Sequence, residues 1–278
     1  MEVIVAKTAG FCFGVKRAVE KVYANVDKEH VYTYGPIIHN EQVVADLEKH
    51  GVKVVEEDTD LTQLSEGTIV VRAHGASRAE FERLRECGMQ IEDATCPFVS
   101  KIYRIVEEES KAGRTVIIVG NAAHPEVRGI RGWSGEDTYV VGSIEEANNL
   151  NILAKNISIV SQTTFNLKKF KEIVEIFEKK GYDIKCLNTI CNATEVRQTE
   201  ARQIASQVDA MIVIGGKNSS NTQKLFEICK EECSNTYYIQ TAEDLDYTAI
   251  RGMQRIGITA GASTPKNIIE EVQTRCQI

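Results

Sequence analysis

The sequence predicts an α/β protein: three similar small α/β domains with mainly parallel sheets, packed as a pseudo-threefold trefoil. Three observations carry this. Apolar runs of strand length alternate with helical patterns, a cysteine opens a helical pattern three times, and the spacing from each such cysteine to the polar loops after it is nearly constant. A repeat of this kind dictates the architecture. It divides the chain into residues 1–95 (first repeat, with an N-terminal strand), 96–190 (second repeat) and 191–278 (third repeat, with a C-terminal tail).

The first repeat opens with Phe11-Cys12-Phe13-Gly14-Val15, after which Val15, Ala18, Val19 and Val22 share one helical face. A strand over Val31–Tyr34 runs into a polar loop containing His39, and short strands over Val52–Val55 and Thr68–Val71 follow, the second leading to His74. The second repeat opens with Thr95-Cys96-Pro97, where the first helical turn accepts a proline. Its strands are Thr115–Val119, leading to His124 and Glu126, then Thr138–Val141, then Ser158–Val160, leading to Thr163. The third repeat opens with Ile190-Cys191-Asn192-Ala193-Thr194. Its strands are Ala210–Ile214, leading to Ser219, Ser220 and Asn221, then Thr236–Ile239, then Arg255–Thr259, leading to Ser263.

His39, His124 and Ser219 lie 27, 28 and 28 residues beyond their cysteines, and His74, Thr163 and Ser263 lie 62, 67 and 72 beyond them. Parallel sheets bind ligands at the carboxyl ends of their strands. Threefold packing would therefore gather six polar loops around three cysteines on one axis.

Composition narrows the function. The 278 residues are 42% hydrophobic and 26% charged, an ordinary globular balance. A net charge of -7 without any Lys/Arg run argues against nucleic acid as a partner. Met1–Val5 does not read as a signal peptide, and the apolar runs are far short of the ~20 residues that span a bilayer. The expectation is a cytoplasmic protein with no membrane partner. Eight cysteines in a reducing compartment are not a disulfide framework, and no C-x-x-C motif is present, so any metal site must be assembled from distant segments.

Cys12, Cys96 and Cys191 each start a helix, where backbone N–H groups and the helix dipole favour a thiolate. A structural zinc wants four closed ligands, and a 4Fe-4S cluster normally takes four cysteines. Three ligands leave one metal position open for Lewis-acid chemistry. The residues alone leave zinc and an iron–sulfur cluster both in play and do not set the iron count. Cys87, Cys186, Cys229, Cys233 and Cys276 read as ordinary thiols. The turns Gly216-Lys217-Asn218-Ser219-Ser220-Asn221 and Gly261-Ala262-Ser263-Thr264 suit an anion, whereas no Walker A or G-x-G-x-x-G pattern supports a nucleotide or nicotinamide. Glu126 is the candidate proton donor.

The segments Ala9-Gly10-Phe11-Cys12-Phe13-Gly14-Val15, Asp93-Ala94-Thr95-Cys96-Pro97, His124-Pro125-Glu126-Val127, Ser161-Gln162-Thr163-Thr164, Cys191-Asn192-Ala193-Thr194 and Ser219-Ser220-Asn221-Thr222 together closely resemble the 4-hydroxy-3-methylbut-2-enyl diphosphate reductases. These iron–sulfur oxidoreductases act last in the methylerythritol phosphate route to isoprenoids. The likeness runs from about residue 3 to residue 265. It implies a trefoil fold around one central 4Fe-4S cluster with three cysteine ligands, Cys12, Cys96 and Cys191. It also implies a diphosphate held by His39, His74, His124, Ser219, Ser220, Asn221 and Ser263, with Thr194 as a further contact. By the same resemblance Thr163 orients the substrate hydroxyl or a water, Glu126 delivers protons near His124, and electrons come from a separate ferredoxin or flavodoxin. The competing readings are a cluster-bearing sensor without turnover and a zinc-dependent hydrolase.

Overall fold

A computed structural model describes residues 1–277. The chain runs β1 (Glu2–Val5), α1 (Phe13–Tyr23), β2 (Val31–Tyr34), α2 (Glu41–Lys49), β3 (Lys53–Val55), β4 (Thr68–Val71), α3 (Arg78–Glu86) and β5 (Gln90–Asp93). It continues as α4 (Pro97–Lys111), β6 (Thr115–Val119), α5 (Pro125–Trp133), β7 (Thr138–Val141), α6 (Ile144–Asn149), β8 (Asn156–Ser161), α7 (Leu167–Lys179) and β9 (Asp183–Cys186). The last third is α8 (Asn192–Ala205), β10 (Ala210–Ile214), α9 (Ser220–Glu232), β11 (Thr236–Ile239), β12 (Arg255–Ala260) and α10 (Lys266–Cys276).

The strands form three four-stranded sheets, ordered β3-β2-β4-β5, β7-β6-β8-β9 and β11-β10-β12-β1. Every pairing is parallel. The α/β class is as the sequence predicts, and the three sheets share one topology. Each also has a fourth strand: in the first two sheets it is one that the apolar pattern does not reveal, and in the third it is the N-terminal strand that the sequence reading placed with the first repeat. β5 and β9 are partly exposed edge strands, Gln-Ile-Glu-Asp and Asp-Ile-Lys-Cys, too polar to stand out as apolar runs. Each leads into the next cysteine, and so does β1. The N-terminal strand thus completes the sheet of the third repeat, with Glu2–Val5 in register with Arg255–Ile258.

The central strands are buried on both faces, which is why Thr115–Val119 and Ala210–Ile214 read as continuous apolar runs rather than alternating ones. Contacts group the chain into two compact units: residues 1–16, 38–46 and 192–278, and residues 17–37 and 47–191. In the first, Ile212, Ile214, Ile256 and Ile258 pack on Ile268, Ile269 and Val272 of α10. Its opposite face, Met211 and Val213, packs on Ala201 and Ala205 of α8 and Leu225 and Cys229 of α9. The second unit holds the other two sheets. Tyr34, Ile69 and Val71 meet Phe81 and Leu84 of α3. Ile117, Ile157 and Ile159 meet Phe170, Ile173 and Phe177 of α7, while Val116, Ile118 and Val160 meet α4 and α5. Trp133, ending α5, ties these layers together: its ring stacks on Tyr103 at 5.4 Å and its Nε1 donates to Ala76 O at 3.0 Å. No helix among the described residues is long and apolar enough to cross a membrane.

Candidate active site

In each sheet the first and third strands of the repeat lie side by side in the centre, and their crossovers leave in opposite directions. The carboxyl ends of such a pair form the crevice where open α/β sheets bind ligands. All the polar loops picked out in the sequence leave from these positions. β2 leads to His39, β4 to His74, β6 to His124 and Glu126, β8 to Thr163, β10 to Ser219–Asn221, and β12 to Ser263.

The three cysteines are held in one way. Cys96 N donates to Ala73 O at 3.0 Å, Cys191 N to Thr163 O at 3.0 Å, and Cys12 N to Ala262 O at 3.2 Å. Each acceptor lies two residues beyond the end of its strand, β4, β8 or β12. Thr163 is therefore the equivalent of Ala73 and Ala262, one position before His74 and Ser263; the loop lengths had concealed that offset. The carbonyls of Cys12 and Cys96 accept the first helical bonds of α1 and α4, from Lys16 N (2.9 Å) and Ser100 N (3.0 Å). All three thiols are half-buried at or next to a helix start, as a thiolate ligand requires.

The other cysteines fit a ligand role less well. The Cys87 thiol donates to Arg83 O at 3.1 Å. Burial pushes Cys229 up to about 12 and Cys276 up to about 11, and burial raises Cys186 as well. Cys233 lies in the core beside Cys229.

In the second unit Glu126 is 3% exposed. Its Oε1 accepts Thr163 N–H at 2.6 Å and its Oε2 accepts the Thr163 hydroxyl at 2.7 Å. Desolvation pushes its pKa up to about 7, against the two Thr163 bonds, which favour the anion. His124 caps α5: its Nδ1 accepts Glu126 N–H at 3.2 Å, so the neutral ring carries its proton on Nε2. The His74 ring stands edge-on to it at 5.3 Å. Glu126 and Thr163, 37 residues apart, are thus brought into direct contact, and so are His74 and His124.

In the first unit Ser219 caps α9, its Oγ accepting from Thr222 N at 3.3 Å and from Thr222 Oγ1 at 2.9 Å. Ser263 Oγ donates to His39 O at 3.1 Å. A Cβ on Gly216 would lie 2.6 Å from that same carbonyl, so glycine is required for the loops to approach. Asn40 caps α2 by accepting Val43 N–H at 3.0 Å. Its Nδ2, and that of Asn221, are buried with no hydrogen-bond partner among the described residues. An unpaired buried donor costs about 1–3 kcal/mol, and two of them beside a helix N-terminus suit a bound anion. Ser220 opens α9, and Thr194 is buried in the first turn of α8.

Sequence reasoning missed several supporting residues. Asn40 stands next to His39 but lies in no recognisable motif. Tyr103 is signalled only by Gly75 and Gly129, where any side chain would strike its hydroxyl; that hydroxyl donates to His74 O at 3.2 Å. Tyr103→Phe is expected to lower stability by about 1 kcal/mol, seen as a lower Tm. It is also expected to raise KM, by freeing the His74 loop, more than it lowers kcat.

The LytB protein family model matches residues 3–277. The 4-hydroxy-3-methylbut-2-enyl diphosphate reductase of Caldanaerobacter subterraneus subsp. tengcongensis is 49% identical over 276 residues, 98% of this chain and 95% of the relative. That of Geobacter sulfurreducens is 48% identical over 100% of this chain and 97% of its own length. Among solved structures, the E-1-hydroxy-2-methyl-but-2-enyl-4-diphosphate reductase of Plasmodium falciparum superposes with a TM-score of 0.93 at 28% identity, covering 99% of this chain and 87% of that one. A structure of (E)-4-hydroxy-3-methyl-but-2-enyl diphosphate reductase, the terminal enzyme of the non-mevalonate pathway, gives 0.69 at 42% identity over 100% and 99%. With its sheets, its cysteine-headed helices and these relatives, the chain belongs to the LytB family of 4-hydroxy-3-methylbut-2-enyl diphosphate reductases.

Proposed function

We propose that this chain reduces 4-hydroxy-3-methylbut-2-enyl diphosphate to isopentenyl and dimethylallyl diphosphate, using one 4Fe-4S cluster on Cys12, Cys96 and Cys191. The observation that carries the reading is the buried Glu126–Thr163 pair, an acid and a hydroxyl in direct contact at the carboxyl ends of β6 and β8, in a family of reductases. The half-buried thiols at helix starts fit the cluster, which when bound supplies electrons and one iron without a cysteine as a Lewis acid for the leaving hydroxyl. The balance is two electrons and two protons in, with the C–O bond replaced by C–H and water released.

Glu126 and Thr163 move the protons. When the carboxyl is protonated on Oε2, that group donates to Thr163 Oγ1, and the Thr163 hydroxyl turns its own hydrogen outward. Thr163 thereby passes on the proton that Glu126 supplies. Hydroxide is a poor leaving group, and an acid that stays protonated near neutral pH lowers that barrier. His39, His74, His124, Ser219, Ser220, Asn221 and Ser263 clamp the diphosphate, with Thr194 beside them. Fixing the substrate in this way lowers the barrier by ~7 kcal/mol at the low end of effective-molarity estimates.

The chain has no nucleotide-binding fingerprint, so the electrons come from a separate one-electron protein such as a ferredoxin or flavodoxin. The test is an anaerobic assay of the brown protein with reduced donor and the hydroxymethylbutenyl diphosphate. Both isoprenoid diphosphates are expected. A colourless protein that releases phosphate would instead establish the zinc hydrolase.

A further inference from the structure

We propose that Glu57 is a positioning residue for the diphosphate: through Arg72 and Arg128 its carboxylate ties the His74 loop to the His124 loop and sets the gap between the two imidazoles. The proposal rests on the reading of His74 and His124 as diphosphate ligands.

Glu57 lies just beyond β3, the edge strand next to β2. A single oxygen, Oε1, accepts from Arg72 Nη2 and from Arg128 Nη2, both at 2.5 Å. Each arginine has a second donor on the backbone beside one histidine. Arg72 follows the last residue of β4 and folds back, its Nε donating to Gly75 O at 3.3 Å. Gly75 N closes the same turn by donating to Arg72 O at 2.9 Å. Arg128 stands on α5, and its Nη1 donates at 3.2 Å to the carbonyl of Ala123, the residue before His124. Both histidines are therefore carried on backbone gripped by an arginine, and the two grips meet on one oxygen atom.

The carboxylate is itself held from behind. Arg83 on α3 donates through Nη2 to Glu57 O and, at 2.8 Å, to the Tyr34 hydroxyl. Tyr34 donates in turn to Glu80 Oε1 at 3.0 Å, and Glu80 closes the capping box of α3. Gly35, at φ 67°, makes room for the arrangement, because a Cβ there would lie 2.3 Å from Arg72 Nη1. Burial works against the charge on Glu57, but the two guanidiniums outweigh it and hold the carboxyl below its ordinary range.

Exposed ion pairs add little to stability, and the Arg128 side chain is 48% exposed. Its bond to Glu57 therefore does little for the fold, and its effect falls on the loops. The edge-on contact of the two rings at 5.3 Å depends on loops that leave different sheets. Two imidazoles that donate to one diphosphate bind it best when their spacing is set beforehand. Arg72 is the opposite case. Its side chain is only 5% exposed, so losing Glu57 would also strand a buried charge.

The test compares Glu57→Ala, Arg128→Met and the double variant with Lys111→Met, a control on α4 whose amine pairs with Glu107. Each holoprotein is purified anaerobically. The readouts are kcat and KM with the hydroxymethylbutenyl diphosphate, the Kd of inorganic pyrophosphate by calorimetry, and a thermal melt. Both single variants are expected to raise KM and the pyrophosphate Kd about tenfold, the scale of one lost ~1.4 kcal/mol interaction. Their kcat should stay as in wild type, the signature of lost ground-state binding. Arg128→Met should also keep the wild-type Tm. The double variant should bind no more weakly than the poorer single, because both changes cut the same link. Lys111→Met should match wild type throughout.

An unchanged pyrophosphate Kd in Arg128→Met, a fall in kcat at constant KM, a double variant whose losses add, or an equal loss in Lys111→Met overturns the proposal. Should Glu57→Ala fail to fold around Arg72, Arg128→Met decides alone, since it leaves the Arg72–Glu57 pair intact. A wild-type protein that does not bind pyrophosphate defeats the reading of the histidines as diphosphate ligands, and this inference with it. Wild-type binding that the variants leave unmoved defeats only this inference.

Discussion

Glu126→Gln is expected to lower turnover by about 10²–10⁴-fold, the usual contribution of a positioned acid, while leaving the brown chromophore and the fold in place. The geometry makes this separation clean. Glutamine keeps an oxygen to accept Thr163 N–H, now at 2.6 Å, and can offer its amide hydrogen to Thr163 Oγ1. Burial is unaffected, and an uncharged amide pays less for it than a carboxylate does. Only the transferable proton is gone. The comparison requires kcat in the anaerobic assay alongside visible absorption and a thermal melt. Wild-type turnover in this variant would remove Glu126 from the reaction.

The pH dependence follows from the same burial. With the carboxyl raised to about 7 by desolvation, the acid is in its working form below that pH. The kcat/KM of the free enzyme is expected to be level on the acid side and to fall tenfold per unit above pH about 7, a limb absent from the residual activity of Glu126→Gln. Stability carries the same sign. A carboxyl that holds its proton to higher pH in the folded chain than in the unfolded one favours folding fully below the unfolded value. That contribution is lost as pH rises through about 7.

The fold was legible wherever burial leaves a periodic or continuous apolar trace. The runs at Thr115–Val119 and Ala210–Ile214 are central strands, and the Val15, Ala18, Val19 and Val22 face is a buried helix face. The edge strands β3, β7 and β11 keep enough β-branched and aromatic residues to be read, whereas the edge strands β5 and β9 are mostly polar and leave no such trace. β5 and β9 were accordingly invisible, and β1 gave no sign of which sheet it joins. The site divides along similar lines. Glu126 and Thr163, to which we assign proton transfer, stand in loops after strong strands, where a sequence reading looks for polar side chains. Tyr103, Arg72 and Arg128 act by reaching backbone carbonyls. A carbonyl acceptor has no residue type, so no sequence pattern records those bonds. The one-position offset between Thr163 and His74 was equally hidden until strand ends gave a common origin.

Cys96→Ser is expected to abolish both the visible chromophore and turnover, because a serine hydroxyl is a far poorer ligand for soft iron than a thiolate and the remaining two cysteines cannot close the site. Cys229→Ser is the informative counterpart. Cys229 is fully buried between α8 and α9, and its thiol, pushed up to about 12, stays protonated. A hydroxyl there meets an apolar wall, so the variant should lose about 1–3 kcal/mol of stability yet keep its full colour and iron content. The two substitutions therefore dissociate in opposite directions. One loses iron and sulfide, measured by absorption and chemical analysis, whereas the other lowers Tm. Bleaching of Cys229→Ser or Cys87→Ser as complete as that of Cys96→Ser would mean the ligands had been drawn from the wrong thiols. Colour in all but the Cys12, Cys96 and Cys191 variants would leave the cysteine-headed helices as the one set of thiols the cluster needs.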